Sequence, residues 1–297
     1  MQNLYYKPSG KTSPISLLFL LIAIAIGAPI IAFIYSYAIL YIPLIYLNIL
    51  CLFGAAFGIG FVANFVVGMG KVRNKTVAMI FGLIVGLAGL YVSWVVWIYD
   101  HANASAFVEV SYMDLLTNPK ALWGIIWEIN VHGTWGIGRS GGAVDGIMLT
   151  IVWIIEALAI VGVSVFFAYS KACEPYLEND DDWAETTKIG PFELIEDITS
   201  LKQELETQKY EQLHALPKEE AGRTKSYTSL LLYHGQKKEQ AKEFYLTVNN
   251  MMEDYDKDGK LSFDEKTQIS FIRISKEAGQ QLFARKNTML PAGATEE

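Results

Sequence analysis

The sequence predicts a membrane-embedded all-α four-helix bundle with an additional small cytosolic α+β domain. Three observations support this fold class. Four apolar stretches lie within the first 170 residues, and each is long enough to cross a hydrocarbon layer of ~30 Å at ~1.5 Å per residue. Beyond Lys171 the chain becomes polar and charged. In that second part, a stretch with helical periodicity is followed by aromatic and β-branched runs that are typical of strands.

These patterns divide the chain into four parts. Residues 1–13 are predicted to form a cytosolic N-terminal tail, and residues 14–170 a four-span membrane domain with an outer loop at 100–145. Residues 171–190 are predicted to form an acidic linker, and residues 191–297 the cytosolic α+β domain. The predicted elements of that domain are a helix at 191–215, strands at about 226–233, 243–253 and 261–274, and a helix at 275–286.

Basic residues near the span ends predict which side of the membrane is cytoplasmic. Lys71, Arg73 and Lys75 lie between spans two and three, and Lys171 follows span four. Positive residues are retained on the cytoplasmic side, and four spans return the chain to the side on which it started. Both termini are therefore predicted to be cytoplasmic in a multipass protein of the plasma membrane.

A short helix is predicted within the outer loop. Apolar residues recur at approximately helical spacing from Asp114 to Ile129, and Asn118-Pro119 is a helix start signal. Trp123 and Trp127 suit the lipid headgroup layer. We expect this helix to lie on the outer leaflet or to dip into it.

Glu156 is the only charged residue in the apolar stretch 146–170. It lies near mid-membrane, where an ionised carboxylate is costly and usually faces the bundle interior or a water-filled cavity. The candidate partners are Asn64 in span two and Tyr91 or Ser93 in span three. Two interpretations stay open, a proton or cation relay and a protonated glutamate that links helices through hydrogen bonds.

An acidic dodecapeptide at 254–265 resembles the calcium loop of the EF-hand family. It has acidic residues at loop positions 1, 3 and 5, glycine at position 6 and glutamate at position 12. Calcium is the only cofactor that the sequence suggests. The resemblance implies a ligand set made of Asp254, Asp256, Asp258, the carbonyl of Lys260, Ser262 through a water molecule, and both oxygens of Glu265.

The residues on either side of this loop favour a β-hairpin instead. An EF-hand needs a helix on each side and apolar residues just outside the loop, where this chain has Glu253 and Lys266. The flanking stretches 243–248 and 267–274 are rich in aromatic and β-branched residues. With Asp258-Gly259 as a two-residue turn, they would form two long antiparallel strands. The EF-hand and the hairpin both stay open at this point.

A second resemblance covers more of the chain. The spacing of the four spans, Leu115-Leu116-Thr117-Asn118-Pro119 and Gly133-Thr134-Trp135 resemble a group of bacterial four-span membrane proteins with no assigned activity. Members of that group carry cysteine pairs after span four and again in the tail, whereas this chain has only Cys173 there. The resemblance favours the hairpin and implies no metal role for cysteine.

The chain is not predicted to be an enzyme, because the sequence shows no nucleophile–base pair, phosphate-binding glycine loop or paired histidines. A net charge of −7 argues against nucleic acid as a partner. We predict a bacterial inner-membrane protein whose cytosolic domain serves as a scaffold or docking module, with the lipid bilayer and a protein, or a second copy, as partners. The alternatives are a calcium-responsive protein that uses the loop at 254–265 and a proton or cation transporter that uses Glu156.

Overall fold

The computed structural model describes residues 4–42, 44–104, 110–133, 144–218, 225–236, 240–255, 257 and 259–287. The chain separates into two compact units. The membrane unit is Ser9–Cys173, and the tail domain combines Met1–Pro8 with Glu174–Glu297. The predicted N-terminal tail at 1–13 is therefore divided, because residues up to Pro8 belong to the tail domain and residues from Ser9 onward to the membrane unit.

Four helices of the described residues are long and apolar enough to cross a membrane, with mean hydropathy between 2.2 and 2.9. Span one is continuous but contains a π-helical turn at Ala23–Gly27. The helices are α1 (Ile15–Ile22) and α2 (Ala28–Tyr41) in span one, α3 (Ile45–Met69) in span two, α4 (Lys75–Ala104) in span three and α7 (Gly146–Cys173) in span four.

Small residues allow α4 and α7 to approach closely. A Cβ atom at Gly82 would lie 2.8 Å from the carbonyl oxygen of Ser164, and one at Gly86 would lie 2.9 Å from the Cα of Val161. The Ser164 hydroxyl also donates a hydrogen bond to the Gly82 carbonyl at 2.8 Å. Close backbone packing and interhelical hydrogen bonds of this kind stabilise helix pairs in lipid, where water does not drive association.

The outer segment between spans three and four contains two short helices, α5 (Tyr112–Thr117) and α6 (Pro119–His132). The sequence predicted one helix over this stretch. The chain breaks at Asn118, whose side chain caps α6 by accepting a hydrogen bond from the Ala121 amide at 3.2 Å. Pro119 occupies the first turn of α6, where its missing N–H is not needed.

The tail domain is built on a four-stranded antiparallel sheet in the order β3-β4-β5-β6. A two-stranded sheet precedes it, and Tyr5 forms a bridge with Ile272 of β6. The strands are β1 (Tyr176–Leu177), β2 (Asp182–Trp183), β3 (Glu185–Glu193), β4 (Tyr227–His234), β5 (Phe244–Tyr255) and β6 (Leu261–Ile274). The helices are α8 (Ile198–Glu206), α9 (Glu211–Ala215) and α10 (Lys276–Asn287).

Helices α8, α9 and α10 contribute to one hydrophobic core on a single face of this sheet. Alternate residues of the central strands point into that core because successive side chains of a strand lie on opposite faces. Its fully buried members include Leu201, Leu205, Leu213 and Leu282 from the helices and Leu230, Leu232, Leu246 and Val248 from the strands.

The structure corrects the predicted acidic linker at 171–190 and the predicted helix at 191–215. The predicted linker at 171–190 contains β1, β2 and most of β3. The range predicted as a helix, 191–215, begins with the last residues of β3. A helix starts only after Asp197, whose side chain accepts a hydrogen bond from the Ser200 amide at 3.1 Å. It stops before Gln208, where φ is +57°, a conformation that does not continue an α-helix. The other predicted elements correspond to β4, β5, β6 and α10.

Candidate functional site

The acidic dodecapeptide lies at the turn between β5 and β6. These two strands pair in an antiparallel register from Phe244↔Ile274 to Tyr255↔Leu261. An EF-hand requires helices on both sides of its loop, and the structure has strands there. The helix–loop–helix alternative is therefore wrong, and the hairpin alternative describes the chain.

The hairpin separates the residues that the EF-hand resemblance brought together. Asp254 is paired with Ser262, whereas Glu265 is paired with Met251, three positions further along the ladder. Because side chains alternate between faces, Asp254 and Glu265 point to opposite faces and are offset by about 10 Å along the strands. The Glu265 carboxylate instead accepts a hydrogen bond from the side-chain amide of Asn249.

The remaining members of that ligand set do not complete a site. The Asp254 carboxylate accepts a hydrogen bond from the Tyr255 amide at 2.9 Å, and Lys260 is exposed. Asp256 and Asp258 lie outside the described residues. Within the described part of the chain, no group of three or more His, Cys, Asp or Glu residues is placed to hold a metal ion.

The end of this hairpin extends beyond the rest of the sheet. We call residues 252–264 the arm. The register between β4 and β5 runs only as far as Tyr227↔Met251, while the pairing of β5 with β6 continues to Tyr255↔Leu261. The side chain of Tyr255 is 60% exposed near the tip. Among the described residues, no further strand pairs with the outer edges of the two strands in the arm.

Contacts at its base hold the arm in a defined position. The rings of Tyr227 and Phe263 pack edge to face with centroids 5.1 Å apart, and Tyr227 is buried. The Ser226 hydroxyl accepts a hydrogen bond from the Glu253 amide at 3.0 Å. These contacts join the arm to β4, so the arm continues the sheet instead of forming an independent loop.

The arm is acidic. Glu253, Asp254 and Asp264 are exposed on its strands. The sequence of the arm also contains Asp256 and Asp258, which brings its negative charges to five. Its positive charges are Lys257 and Lys260, so the net charge is −3. A projecting acidic surface of this kind attracts a basic surface electrostatically. Both the association rate and the affinity fall as the salt concentration increases.

In the membrane unit, Glu156 binds Tyr35. The Tyr35 hydroxyl of α2 donates a hydrogen bond to Oε1 of Glu156 on α7 at 2.9 Å. The sequence gives no sign of this partner, because Tyr35 stands close to Tyr37 and Tyr41 and tyrosines at that density are typical of a membrane interface. Tyr37 and Tyr41 are indeed exposed and stack on each other, whereas Tyr35 is only 6% exposed.

The partners that the sequence suggested for Glu156 bind backbone carbonyls instead. The Asn64 amide donates to Phe167, 3.4 Å away. The Ser93 hydroxyl donates to Leu90 at 2.7 Å. The Tyr91 hydroxyl donates to the carbonyls of α5. These four hydrogen bonds lead away from Glu156, so among the described residues the predicted intramembrane cluster is not assembled.

These features define the class of protein. Four apolar helices of membrane length, with a separate domain of strands and helices, indicate a multipass membrane protein. No protein-family model, curated protein or solved structure matches the chain.

Proposed function

We propose that this protein is a docking module of the bacterial inner membrane, and that its tail domain binds a protein partner in the cytosol through the arm. The observation that carries this proposal is the extension of the β5–β6 hairpin beyond β4. The partner surface that fits it is basic, because the arm carries a net charge of −3 from five acidic residues and two lysines.

Two features support a cytoplasmic position for both chain ends. Residues Leu4 to Tyr6 are hydrogen-bonded to β6, and a folded domain of this kind cannot be divided by a bilayer. The ends of the chain therefore share one side of the membrane, as four spans require. Lys71, Arg73, Lys75 and Lys171 flank the spans on that same side, which favours the cytoplasm.

The chemistry of the arm supports docking. A strand edge without a partner strand offers main-chain groups to another chain, chiefly C=O groups on the β5 side because the Glu253 and Tyr255 amides already donate to side chains. The acidic side chains restrict which chain can approach. Tyr255 adds an exposed aromatic ring with a hydroxyl, a side chain that is enriched where proteins meet. The arm thus combines main-chain, aromatic and charged contacts within a few residues.

Site-specific photo-crosslinking in living cells tests this proposal. A photoreactive phenylalanine analogue replaces Tyr255, and a matched control carries it at Gln203, an exposed position on α8. We expect one dominant adduct from position 255 and none from position 203. The double substitution Asp254→Lys and Asp264→Lys should remove the adduct, because it reverses two charges of the arm.

Three results would overturn the proposal. The first is the same set of adducts from both positions, and the second is an adduct that survives the charge reversal. The third is an adduct with twice the mass of this chain, which would make the arm a contact between copies. Mass spectrometry of the adduct separates these outcomes.

A further inference from the structure

Helix α6 carries two apolar stripes, and only one of them packs against the protein. The packed stripe includes Leu122, which is buried with Val95 and Ile98 of α4. The second stripe, which we call the outer stripe, consists of Trp123, Trp127 and Val131, with exposed fractions of 65%, 61% and 53%. Residues four positions apart share one helix face, so these three side chains form a continuous exposed strip.

Hydrogen bonds fix the outer segment to the spans at two points. Near the start of α6, the Tyr91 hydroxyl donates to the carbonyls of Leu115 and Leu116 at 3.1 and 2.9 Å. Near its end, the Asn130 side-chain amide donates to the Gly146 carbonyl at 3.0 Å and to the Thr150 hydroxyl at 2.9 Å. The outer stripe lies between these two points.

The positions of the two attachments along the spans give the depth of α6. Lys75 begins α4 at the inner boundary, so a hydrocarbon layer of ~30 Å ends about 20 residues later, near Trp97. Tyr91 lies roughly 9 Å inside that level, and its side chain leans toward the inner end of the helix. The junction of α5 and α6 therefore lies inside the hydrocarbon boundary.

The same reasoning places the other end of α6 further out. Lys171 lies near the inner end of α7, so the layer ends about 20 residues before it, near Ile151. Asn130 binds Gly146 and Thr150, which lie just outside that level. Between its two attachments, α6 thus crosses the boundary between hydrocarbon and headgroups.

We infer that the outer stripe is a lipid-binding surface, with Trp123 and Trp127 at the boundary between the hydrocarbon and the headgroups. Tryptophan is enriched at this depth because its ring is apolar while its indole N–H binds water or headgroup oxygen. Helix α6 contacts α7, which also carries exposed apolar side chains at Ile147 and Met148. The outer segment is then held both by the spans and by the bilayer.

Nitroxide labelling of the full chain in liposomes tests this inference. Cys51 and Cys173 are first replaced by alanine, and a single label is then placed at Trp127→Cys or Val131→Cys. The matched control is Glu128→Cys, which is exposed on the same helix but lies about 100° away from Trp127. We expect labels at 127 and 131 to collide with oxygen more often than the label at 128. We expect the same two labels to collide with a water-soluble nickel chelate several-fold less often than the label at 128.

Two outcomes would overturn the inference. Equal access of the nickel chelate to positions 127 and 128 would place the outer stripe in water. Exclusion of both reagents from position 127 would place it against protein.

Tryptophan fluorescence of the unlabelled protein provides a second measurement. Brominated lipids should quench a smaller fraction of this fluorescence in Trp123→Phe/Trp127→Phe than in the parent chain. Equal quenching contradicts the inference.

Discussion

Tyr5 forms an antiparallel bridge with Ile272 although the two residues lie near opposite ends of the sequence. Two hydrogen bonds flank the bridge, from the Tyr6 amide to the Phe271 carbonyl at 3.0 Å and from the Arg273 amide to the Leu4 carbonyl at 2.8 Å. The segment before span one thus extends the sheet that is formed after span four. Tyr5 and Ile272 consequently belong to one folded domain although four spans separate them in the sequence.

Cysteine labelling in intact cells should show this arrangement. In a Cys51→Ala/Cys173→Ala background, we expect Ser9→Cys and Lys209→Cys to resist an impermeant maleimide until the cells are permeabilised, because the proposed topology puts both on the cytoplasmic side. Glu128→Cys in the outer segment should react at once. Different behaviour at positions 9 and 209 would show that the two segments lie on opposite sides of the membrane, and labelling of both in intact cells would reverse the orientation.

Removal of the segment that contains Tyr5 should expose one edge of the sheet to solvent. In a chain lacking residues 2–6, the Arg273 amide loses the Leu4 carbonyl as its acceptor. Hydrogen exchange measured by mass spectrometry should become faster in peptides that cover 271–274, because protection of an amide depends on its hydrogen bond. Peptides from the centre of β4 serve as the control. Unchanged exchange at 271–274 would show that the pairing does not form.

High pH should weaken the same edge. Burial, and then the neighbouring Glu206 carboxylate, raise the pKa of Tyr5 to about 12, against about 10 in an unfolded chain. Because the folded-state pKa is the higher one, this stabilisation is fully present below pH 10 and is lost as the pH rises through about 12. Exchange at 271–274, corrected for its intrinsic pH dependence, should therefore increase in that range. Tyr5→Phe should lack this increase, and an identical response in both proteins would refute the assignment.

The pair formed by Tyr35 and Glu156 is expected to link helices. Glu156→Gln keeps a carbonyl oxygen that can accept from the Tyr35 hydroxyl, so its thermal unfolding in lipid nanodiscs should match that of the parent protein. Glu156→Ala leaves the buried hydroxyl without this acceptor and should cost about 0.5–2 kcal/mol. A Glu156→Gln protein that is equally stable but has lost a proton flux measured for the parent in liposomes would support the relay instead.

Calcium should not increase the helix content of the protein. Strands flank the acidic dodecapeptide, and Asp254 and Glu265 point to opposite faces of the hairpin. Far-UV circular dichroism of the full chain should therefore be the same with calcium and with a chelator. A gain of helix that disappears in Asp254→Ala or Glu265→Gln would contradict the hairpin and restore the EF-hand interpretation.

The membrane unit could be predicted well because lipid imposes a simple rule on sequence. A span needs about 20 apolar residues whatever its neighbours are, and all four predicted spans occur as helices of sufficient length. The partner of Glu156 could not be predicted in the same way. Tyr35 and Tyr37 are equivalent as a local pattern, and only the packing of α2 against α3 and α4 buries the first and exposes the second.

The tail domain shows where local patterns mislead. Thr187 and Ile189 are buried while Lys188 is exposed, but this alternation is too short to reveal a strand among charged residues. The apolar residues at 198, 201 and 205 do form a helical face, but the pattern does not show that Gln208 ends the helix. The pairing of Tyr5 with Ile272 depends on the whole fold, and no local pattern predicts it.

The position of Tyr5 beside Ile272 also constrains the order of events during synthesis. Residues Leu4 to Tyr6 leave the ribosome before any of the spans, but the strand that receives them is translated only after all four spans. The N-terminal segment must therefore wait, unpaired, while the intervening helices are inserted into the bilayer, and contacts of such long sequence separation are slow to form. Closure of the sheet is consequently expected to be among the final steps in the maturation of this protein.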